Sequence, residues 1–383
     1  MKTKRRKAKT IKIRNLLIGG NNPIAVQSMT KTKTADIEET VSQIKALEDA
    51  GCEIIRLAIK DRHDAWAIKK IRSKTEMPLV ADIHFDWRLG LEAIDNGIDK
   101  IRLNPGNIYQ KGQIKEIVAA AKQNRIPVRV GVNSGSLKSK KSILRLRSGL
   151  MVSEAEPSKA PAYWQGSHMS RAQEMARSAL NYIKILEGFK FYDIVVSLKA
   201  SNIFDTIEAY RRMAKYCDYP FHLGVTATGP EYMGVIKSSI AMGVLLSEGL
   251  GDTIRVSLTA QPQDEVRVAR NILESLGLRN FGPQIISCPT CGRCEVDLAM
   301  LVNRLDKALS GGNSKLHTKD SRPLQLAVMG CMVNGPGEAR EADIGIAFGR
   351  KEGLMFKNGK ALKKVAFSNC IDTLLKETEK INA

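Results

Sequence analysis

The chain has 383 residues, of which 43% are hydrophobic, and this length predicts two domains or one large domain with an appendage. Lysine and arginine outnumber the acidic residues by 60 to 40, and the resulting net charge of +20 predicts attraction to anions. Only 5% of the residues are aromatic, no nucleic-acid-binding motif is visible and no apolar run reaches the length that spans a bilayer, so we expect neither nucleic acid nor a membrane as a partner. Because no apolar segment follows the basic N-terminus, we expect no secretory signal and a cytoplasmic location.

A short β-branched run that ends in a polar residue, followed by a helical stretch, recurs between residues 20 and 260. The eight runs lie at residues 24–27, 54–57, 79–82, 100–103, 128–132, 194–197, 222–225 and 253–257. Helical patterning occupies residues 37–50, 65–71, 89–96, 114–124, 171–187, 203–216 and 238–247. Eight strand–helix units predict an α/β fold of the TIM (β/α)8 barrel type. A doubly wound sheet is the alternative, but the first βα turn lacks the Gly-x-Gly-x-x-Gly fingerprint.

The barrel prediction covers residues 1–275, and a second domain is predicted at residues 281–383. Within the barrel, the interval between the fifth and sixth strands runs over residues 134–192 and is interpreted as an insertion. In the second domain, strands are predicted at residues 324–329 and 343–348 and a terminal helix at residues 366–379.

Cationic side chains follow or end several of the predicted barrel strands, where the binding residues of a TIM barrel gather. They are Arg56, Arg102, Arg129, Lys199 and Arg255, with Asn133 and Ser257 at neighbouring strand ends. So many cations are costly in a packed interior unless an anion pairs with them. Because guanidinium groups bind phosphate oxygens bidentately, we predict a ligand that carries phosphates.

His84 lies just after the third predicted strand, with Asp82 and Asp86 close in sequence. A histidine in this position can be an acid, a ligand or a buried hydrogen-bonded ring. The neighbouring carboxylates favour a position in the wall of an active site.

The cysteines near the C-terminus have the spacing of metal ligands. Cys288 and Cys291 are three positions apart, and Cys331 follows at a distance. Without an export signal, seven cysteines favour soft-ligand metal chemistry in a reducing compartment over disulfides, and zinc or an iron–sulfur cluster fits. The fourth ligand is either Cys294, which extends a Cys-x2-Cys-x2-Cys run, or Glu338, a hard carboxylate that can give up its position to a substrate oxygen.

Nine segments taken together resemble a known enzyme family. Seven lie in the barrel, at residues 26–30, 80–86, 99–107, 130–133, 222–226, 245–249 and 251–257. The other two are Ser-Cys-Pro-Thr-Cys-Gly-Arg at residues 287–293 and Gly-Cys-Met-Val-Asn-Gly-Pro-Gly-Glu at residues 330–338. On these motifs the chain is similar to the 4-hydroxy-3-methylbut-2-enyl diphosphate synthase family of the methylerythritol phosphate pathway of isoprenoid biosynthesis.

The resemblance implies a TIM barrel followed by a smaller ferredoxin/sulfite-reductase-like domain that carries a 4Fe–4S cluster. The implied activity is the two-electron reductive ring opening and dehydration of 2-C-methyl-D-erythritol 2,4-cyclodiphosphate to 4-hydroxy-3-methylbut-2-enyl diphosphate. It also implies a homodimer in which one chain's cluster lies over the other chain's barrel mouth. We expect flavodoxin or ferredoxin as the electron donor, since both are commonly acidic and a chain of charge +20 attracts either.

The resemblance also assigns residues by position. The implied cluster ligands are Cys288, Cys291, Cys331 and Glu338, with Asn334 as a further catalytic residue near the cluster. The implied residues for the diphosphate are Arg56, Arg102, Arg129, Asn133, Lys199, Arg255 and Ser257, with His84 as a further substrate-binding residue.

One segment departs from the family pattern. After the seventh strand the family usually has Thr-Glu-Ala-Gly, and its glutamate is thought to supply a proton. Residues 226–231 here are Thr-Ala-Thr-Gly-Pro-Glu, so that Ala227 takes the glutamate's place. A methyl group cannot transfer a proton, and we therefore expect Glu231 or a water to act instead, or the chemistry to differ.

Two alternative functions for the protein stay open from sequence. One is a paralogous 4Fe–4S reductase of another phosphorylated substrate, and the other is a basic zinc-ribbon nucleic-acid-binding protein.

Overall fold

The structure, a computed structural model, describes residues 4–137, 169–310, 322–333, 337 and 339–382. Most of the predicted insertion lies outside the described residues, as do Asn334 and Glu338. The chain divides into two units, Met1–Arg279 and Asn280–Ala383.

The first unit begins with an antiparallel hairpin of strands β1 (Ile11–Ile13) and β2 (Leu16–Ile18). Eight parallel strands follow: β3 (Ala25–Met29), β4 (Ile54–Ile59), β5 (Leu79–Ile83), β6 (Lys100–Leu103), β7 (Val128–Asn133), β8 (Ile194–Lys199), β9 (His222–Leu223) and β10 (Thr253–Ile254). Their spatial order is β8-β7-β6-β5-β4-β3-β10-β9. A parallel bridge between Val196 and Phe221 joins the two ends of this sheet. The predicted TIM barrel is therefore confirmed.

Among the described residues, an α-helix follows each barrel strand. They are α1 (Ile37–Asp49), α2 (Arg62–Arg72), α3 (Arg88–Asp95), α4 (Lys111–Gln123), α5 (Arg171–Gly188), α6 (Ile203–Met213), α7 (Glu231–Ser247) and α8 (Pro262–Ser275). Polar caps set several starts: Asp36 and Asp61 each accept a hydrogen bond from the backbone three residues on, and Ser170 forms a capping box with Gln173. Within the described part of the chain, no helix is both long and apolar enough to cross a membrane.

The N-terminal hairpin packs against one end of the barrel interior. Ile11, Ile13 and Ile18 form one buried cluster with inward-facing residues near the starts of the strands: Ala25, Ile54, Val80 and Val195. Because side chains alternate along a strand, the next inward residues lie two positions on. These are Gln27, Arg56, Asp82 and Ser197, all polar. The interior is thus apolar near the hairpin and charged toward the strands' carboxyl ends.

Strands β9 and β10 are shorter than predicted, ending at Leu223 and Ile254 rather than at residues 225 and 257. The chain leaves the ladder at Gly224, which has φ +159°. A Cβ there would lie 2.6 Å from the Arg255 carbonyl oxygen and 2.7 Å from Lys199 Nζ, so only glycine fits. Helix α7 starts at Glu231, seven residues before the prediction, directly after Pro230.

The second unit is a smaller α/β domain, as predicted. Its strands are β11 (Gln284–Ser287), β12 (Gln325–Met329), β13 (Ile344–Phe348), β14 (Glu352–Lys357) and β15 (Lys360–Ala366), and its helices are α9 (Leu298–Ser310) and α10 (Cys370–Asn382). The sheet order follows the sequence; β11, β12 and β13 are parallel, and β14 and β15 are antiparallel additions. The terminal helix starts four residues later than predicted, because the chain up to Ala366 pairs with β14.

Candidate active site

A cavity at the carboxyl ends of the barrel strands is lined by ten residues. They are Arg56, Arg102, Arg129, Asn133, Ser197, Lys199, Val225, Thr226, Arg255 and Ser257. All seven residues that the sequence assigned to a diphosphate are therefore in the wall of one cavity. They come from the four strands β4, β6, β7 and β8 and from the loop after β10, which brings together positions up to about 200 residues apart in the chain.

Asp82 is the anionic centre of this wall. Its side chain is fully buried, with Oδ2 paired to Arg56 and Oδ1 3.2 Å from Arg102 Nη1. His84 Nε2 lies 2.9 Å from the same Oδ2. Burial alone would raise the pKa of Asp82, but Arg56, His84 and Arg102 outweigh it and hold that pKa well below its usual range. Asp82 is thus ionised at neutral pH and fixes the direction of two guanidinium groups.

Arg129 is the most deeply buried arginine of the cavity, with 1% of its surface exposed. Its Nη1 donates to Gln27 Oε1 over 3.3 Å. Among the described residues no carboxylate lies within ion-pair distance of it, and its Nε has no hydrogen-bond partner. Burial, followed by the charges of Arg56 and Arg102, lowers the pKa of Arg129 well below the usual arginine value. This guanidinium lacks the anion that such burial normally requires.

Lys199 and His222 form a buried pair beside the cavity. Lys199 Nζ is 3.3 Å from His222 Nε2, and His222 Nδ1 is 2.8 Å from Thr253 Oγ1. Burial is the main cause that lowers the pKa of each far below its ordinary value, with Arg255 and Arg129 adding to the effect on Lys199. A neutral imidazole accepts from Lys199 at Nε2 and donates from Nδ1 to Thr253.

Positive charge exceeds negative charge in this cavity. Four arginines and Lys199 line it, and the buried carboxylates that contact them are Asp82 and Glu265, whose Oε2 is 3.6 Å from Arg255 Nη2. Guanidinium Nε atoms of Arg56, Arg129 and Arg255 are buried without a hydrogen-bond partner in the described part of the chain. The wall therefore has both the excess charge and the free donors that a bound diphosphate would use.

Three polar residues of this interior were missed from sequence. Lys100 is fully buried, two residues before Arg102 on β6, and its Nζ has no partner among the described residues. Burial and the nearby arginines lower its pKa well below the usual lysine value. His222 and Glu265 were also not identified as site residues. Period-two alternation through residues 100–102 could have identified Lys100.

His84 lies at the rim of the site, with 48% of its side chain exposed. It is not among the residues that line the cavity. Its connection to them is the hydrogen bond between its Nε2 and Asp82. The exposed ring of Phe85 packs near it, with the ring centroids 6.1 Å apart.

The loop after β9 carries the departure from the family pattern. Ala227 is exposed and has φ +51°, and Thr228 donates a hydrogen bond to the Ser257 carbonyl over 3.0 Å. Glu231 is the first residue of α7 and is exposed. Within the described residues its carboxylate has neither an ion pair nor a hydrogen bond with a cavity residue.

Two of the predicted cysteine ligands follow neighbouring strands of the second unit's sheet. Cys288 follows β11 and Cys331 follows β12, which are parallel neighbours in register from Gln284 to Ser287. The Gly330 amide donates to Cys288 Sγ over 3.3 Å. Cys291 is exposed on the loop after β11. Among the described residues, no three Cys, His, Asp or Glu side chains are arranged as a metal site, and Glu338 lies outside this set.

Cys294 packs against the same glycine. A Cβ on Gly330 would lie 2.4 Å from Cys294 Sγ, which itself donates to the Val296 carbonyl over 3.2 Å. The chemistry of this edge fits an iron–sulfur cluster, because soft thiol groups and an N–H···S hydrogen bond are what such clusters use in proteins.

Comparison with known proteins identifies the family. The family model for the GcpE TIM-barrel domain matches residues 8–270, and that for the GcpE protein C-terminal domain matches residues 284–380. The chain is 50% identical over 377 residues to a 4-hydroxy-3-methylbut-2-en-1-yl diphosphate synthase (flavodoxin) of Caldanaerobacter subterraneus subsp. tengcongensis, covering 98% of both chains. The identity is 48% to a protein of the same name from Fusobacterium nucleatum subsp. nucleatum, covering 97% of this chain and 96% of the relative. It is 46% to one from Bacillus cytotoxicus, covering 100% and 95%. The predicted resemblance is confirmed, and the chain belongs to the GcpE family.

Proposed function

We propose that this protein catalyses the reductive ring opening and dehydration of 2-C-methyl-D-erythritol 2,4-cyclodiphosphate to 4-hydroxy-3-methylbut-2-enyl diphosphate. Relatives of 46–50% identity carry the name of this synthase. The observation that carries the proposal is the cavity in which all seven predicted diphosphate residues lie together. The zinc-ribbon alternative loses its support, because GcpE family models match both units.

The cavity residues bind and orient the substrate in this proposal. Arg129 and Lys199, both buried beside like charges, take the phosphate oxygens as counter-ions. Arg56 and Arg102 are held in place by Asp82 and offer their remaining N–H groups. Repulsion among these cations destabilises the ligand-free site. Only an anion of high charge offsets this repulsion when it binds.

Cys288, Cys291, Cys331 and Glu338 would hold a 4Fe–4S cluster, with Asn334 close to it. When bound, the cluster supplies electrons to the substrate one at a time. The Gly330 amide, which donates to Cys288 Sγ, stabilises that sulfur as a thiolate. The relatives' names include flavodoxin, and a chain of charge +20 attracts such an acidic donor, so we propose flavodoxin as the electron source. A homodimer is part of the proposal and rests on the family resemblance.

Iron content and substrate binding test this proposal together. Protein purified without oxygen should contain about four iron and four sulfide per chain. It should bind the cyclodiphosphate and turn it over when reduced flavodoxin is supplied. Colourless protein with one zinc would contradict the cluster, and a cluster-loaded protein that ignores this substrate would favour the paralogous reductase.

A further inference from the structure

The two ring nitrogens of His84 differ in their contacts. Its Nε2 is committed to Asp82 Oδ2 at 2.9 Å. Among the described residues its Nδ1 makes no hydrogen bond, and about half of the side chain is exposed at the rim. One nitrogen is therefore oriented by a buried carboxylate while the other is free to meet a ligand, as in an acid–base histidine held by an aspartate.

Asp82 is placed to orient the His84 ring. Arg56 and Arg102 keep this carboxylate ionised, and its two oxygens are fixed by those partners. A fixed carboxylate that binds one ring nitrogen sets the orientation of the imidazole. His84 follows β5 and contacts Asp82. Arg56 on β4 and Arg102 on β6 bind the same carboxylate, and the Phe85 ring centroid lies 6.1 Å from that of the imidazole.

The same carboxylate oxygen links His84 to the phosphate cavity. Arg56 and His84 both bond to Asp82 Oδ2, and Arg56 lines the cavity. A substrate held there by its diphosphate would extend its carbon part toward the rim. No comparable arrangement exists on the opposite loop, where Ala227 has no proton to give and Glu231 contacts none of the described cavity residues.

We propose that His84 is a catalytic acid of this reaction, donating the proton from Nδ1 to the substrate hydroxyl that leaves as water. This inference rests on the proposed function. Reduced flavodoxin supplies two electrons. The carbon–oxygen bond to one phosphate breaks with its electron pair retained by the phosphate, the protonated hydroxyl leaves as water, and a carbon–carbon double bond forms. One proton is consumed for each water released, and the imidazole regains it from solvent.

Three variants of the cluster-loaded enzyme test the role. His84→Gln keeps an amide nitrogen for Asp82 but cannot donate a proton. Glu231→Gln removes the alternative acid. His63→Gln is the matched control, because His63 is an exposed histidine on α2 with its Nδ1 3.7 Å from Asp61 Oδ1. For each, we would measure iron content, the cyclodiphosphate dissociation constant and kcat.

His84→Gln should lower kcat by roughly 10²–10⁴-fold, the usual contribution of a general acid, with dissociation constant and iron content close to wild type. His63→Gln should leave kcat close to wild type, and Glu231→Gln should lower it by less than His84→Gln does. The proposal is overturned if His84→Gln keeps the wild-type rate, or if Glu231→Gln shows the larger loss. A loaded wild-type enzyme without any turnover would contradict the proposed function, and the role of His84 with it.

Discussion

Lys199 Nζ lies 3.3 Å from His222 Nε2, and this buried contact holds a lysine that lines the cavity. His222 is itself held by Thr253 at 2.8 Å. The pair shows how the barrel accepts a cation in its interior: a neutral imidazole supplies an acceptor without adding a charge that would need its own partner.

Removing His222 should therefore destabilise the fold. His222→Ala leaves Lys199 Nζ without its acceptor, and an unsatisfied buried donor costs about 1–3 kcal/mol. Urea unfolding of the ligand-free protein should show a loss of that size. His63→Ala, at an exposed site, should leave the midpoint unchanged, and equal effects of the two substitutions would argue against the buried pair.

Arg129 should lower the stability of the ligand-free protein and strengthen substrate binding. Arg129→Met replaces a buried cation that has no carboxylate partner among the described residues by an apolar side chain of similar length. We expect the free energy of unfolding without ligand to rise by about 1–3 kcal/mol. Cyclodiphosphate binding should weaken well over tenfold, since losing one charged partner of a buried anion costs on the order of 2–5 kcal/mol.

The control for Arg129 is Arg267→Met on α8, where the arginine is exposed and pairs with Asp264. That variant should change neither the free energy of unfolding nor the affinity for the cyclodiphosphate. Urea unfolding measures the first quantity and calorimetric titration the second. Unaltered substrate affinity in Arg129→Met would overturn the assignment of the cavity to the diphosphate.

Substrate binding should be coupled to proton uptake. Burial and neighbouring cations lower the pKa of Lys199, and a bound diphosphate would raise it again. Titration calorimetry in two buffers of different ionisation enthalpy should show protons taken up on binding at a pH below the ordinary lysine pKa, and affinity should fall as pH rises. Lys199→Met should reduce the uptake. A buffer-independent heat in the wild type would contradict the account.

The same shift gives the ligand-free protein a pH dependence of stability. Because the Lys199 pKa is lower in the folded protein than in the unfolded chain, the unfolded chain binds more protons between the two values. The free energy of unfolding should therefore rise with pH across that window, up to the ordinary lysine value. Lys199→Met should flatten this rise when urea midpoints are compared across pH.

The cysteines should differ in whether they bind the cluster. Cys331→Ser should lose iron and activity, because an alcohol is a poor ligand for cluster iron. Cys294→Ser should retain both, since Cys294 Sγ is turned to the Val296 carbonyl in the described structure. Iron analysis and the visible absorbance of the two proteins measure this. Loss of the cluster in Cys294→Ser with an unaltered cluster in Glu338→Ala would mean that Cys294 is the fourth ligand.

Much of the barrel and its cavity was predictable from sequence, because parallel strands bring their carboxyl ends to one edge. The seven cavity residues were found in this way, as strand-end cations and their polar neighbours. Lys100 was missed because it begins a strand, and its burial depends on the register of β6 beside β5. Glu265 lies on a helix, where an acidic residue normally faces solvent, and only the fold reveals that it reaches Arg255. The hairpin of β1 and β2 has strands of three residues, too short for a periodic signal.

The most direct test of the account is product analysis. Anaerobic, cluster-loaded protein with reduced flavodoxin and 2-C-methyl-D-erythritol 2,4-cyclodiphosphate should yield 4-hydroxy-3-methylbut-2-enyl diphosphate, with two flavodoxin semiquinones formed per product if each donor gives one electron. Mass spectrometry of the diphosphate together with the flavodoxin absorbance measures both. Unchanged cyclodiphosphate in the presence of an intact, reducible cluster would contradict the proposed function.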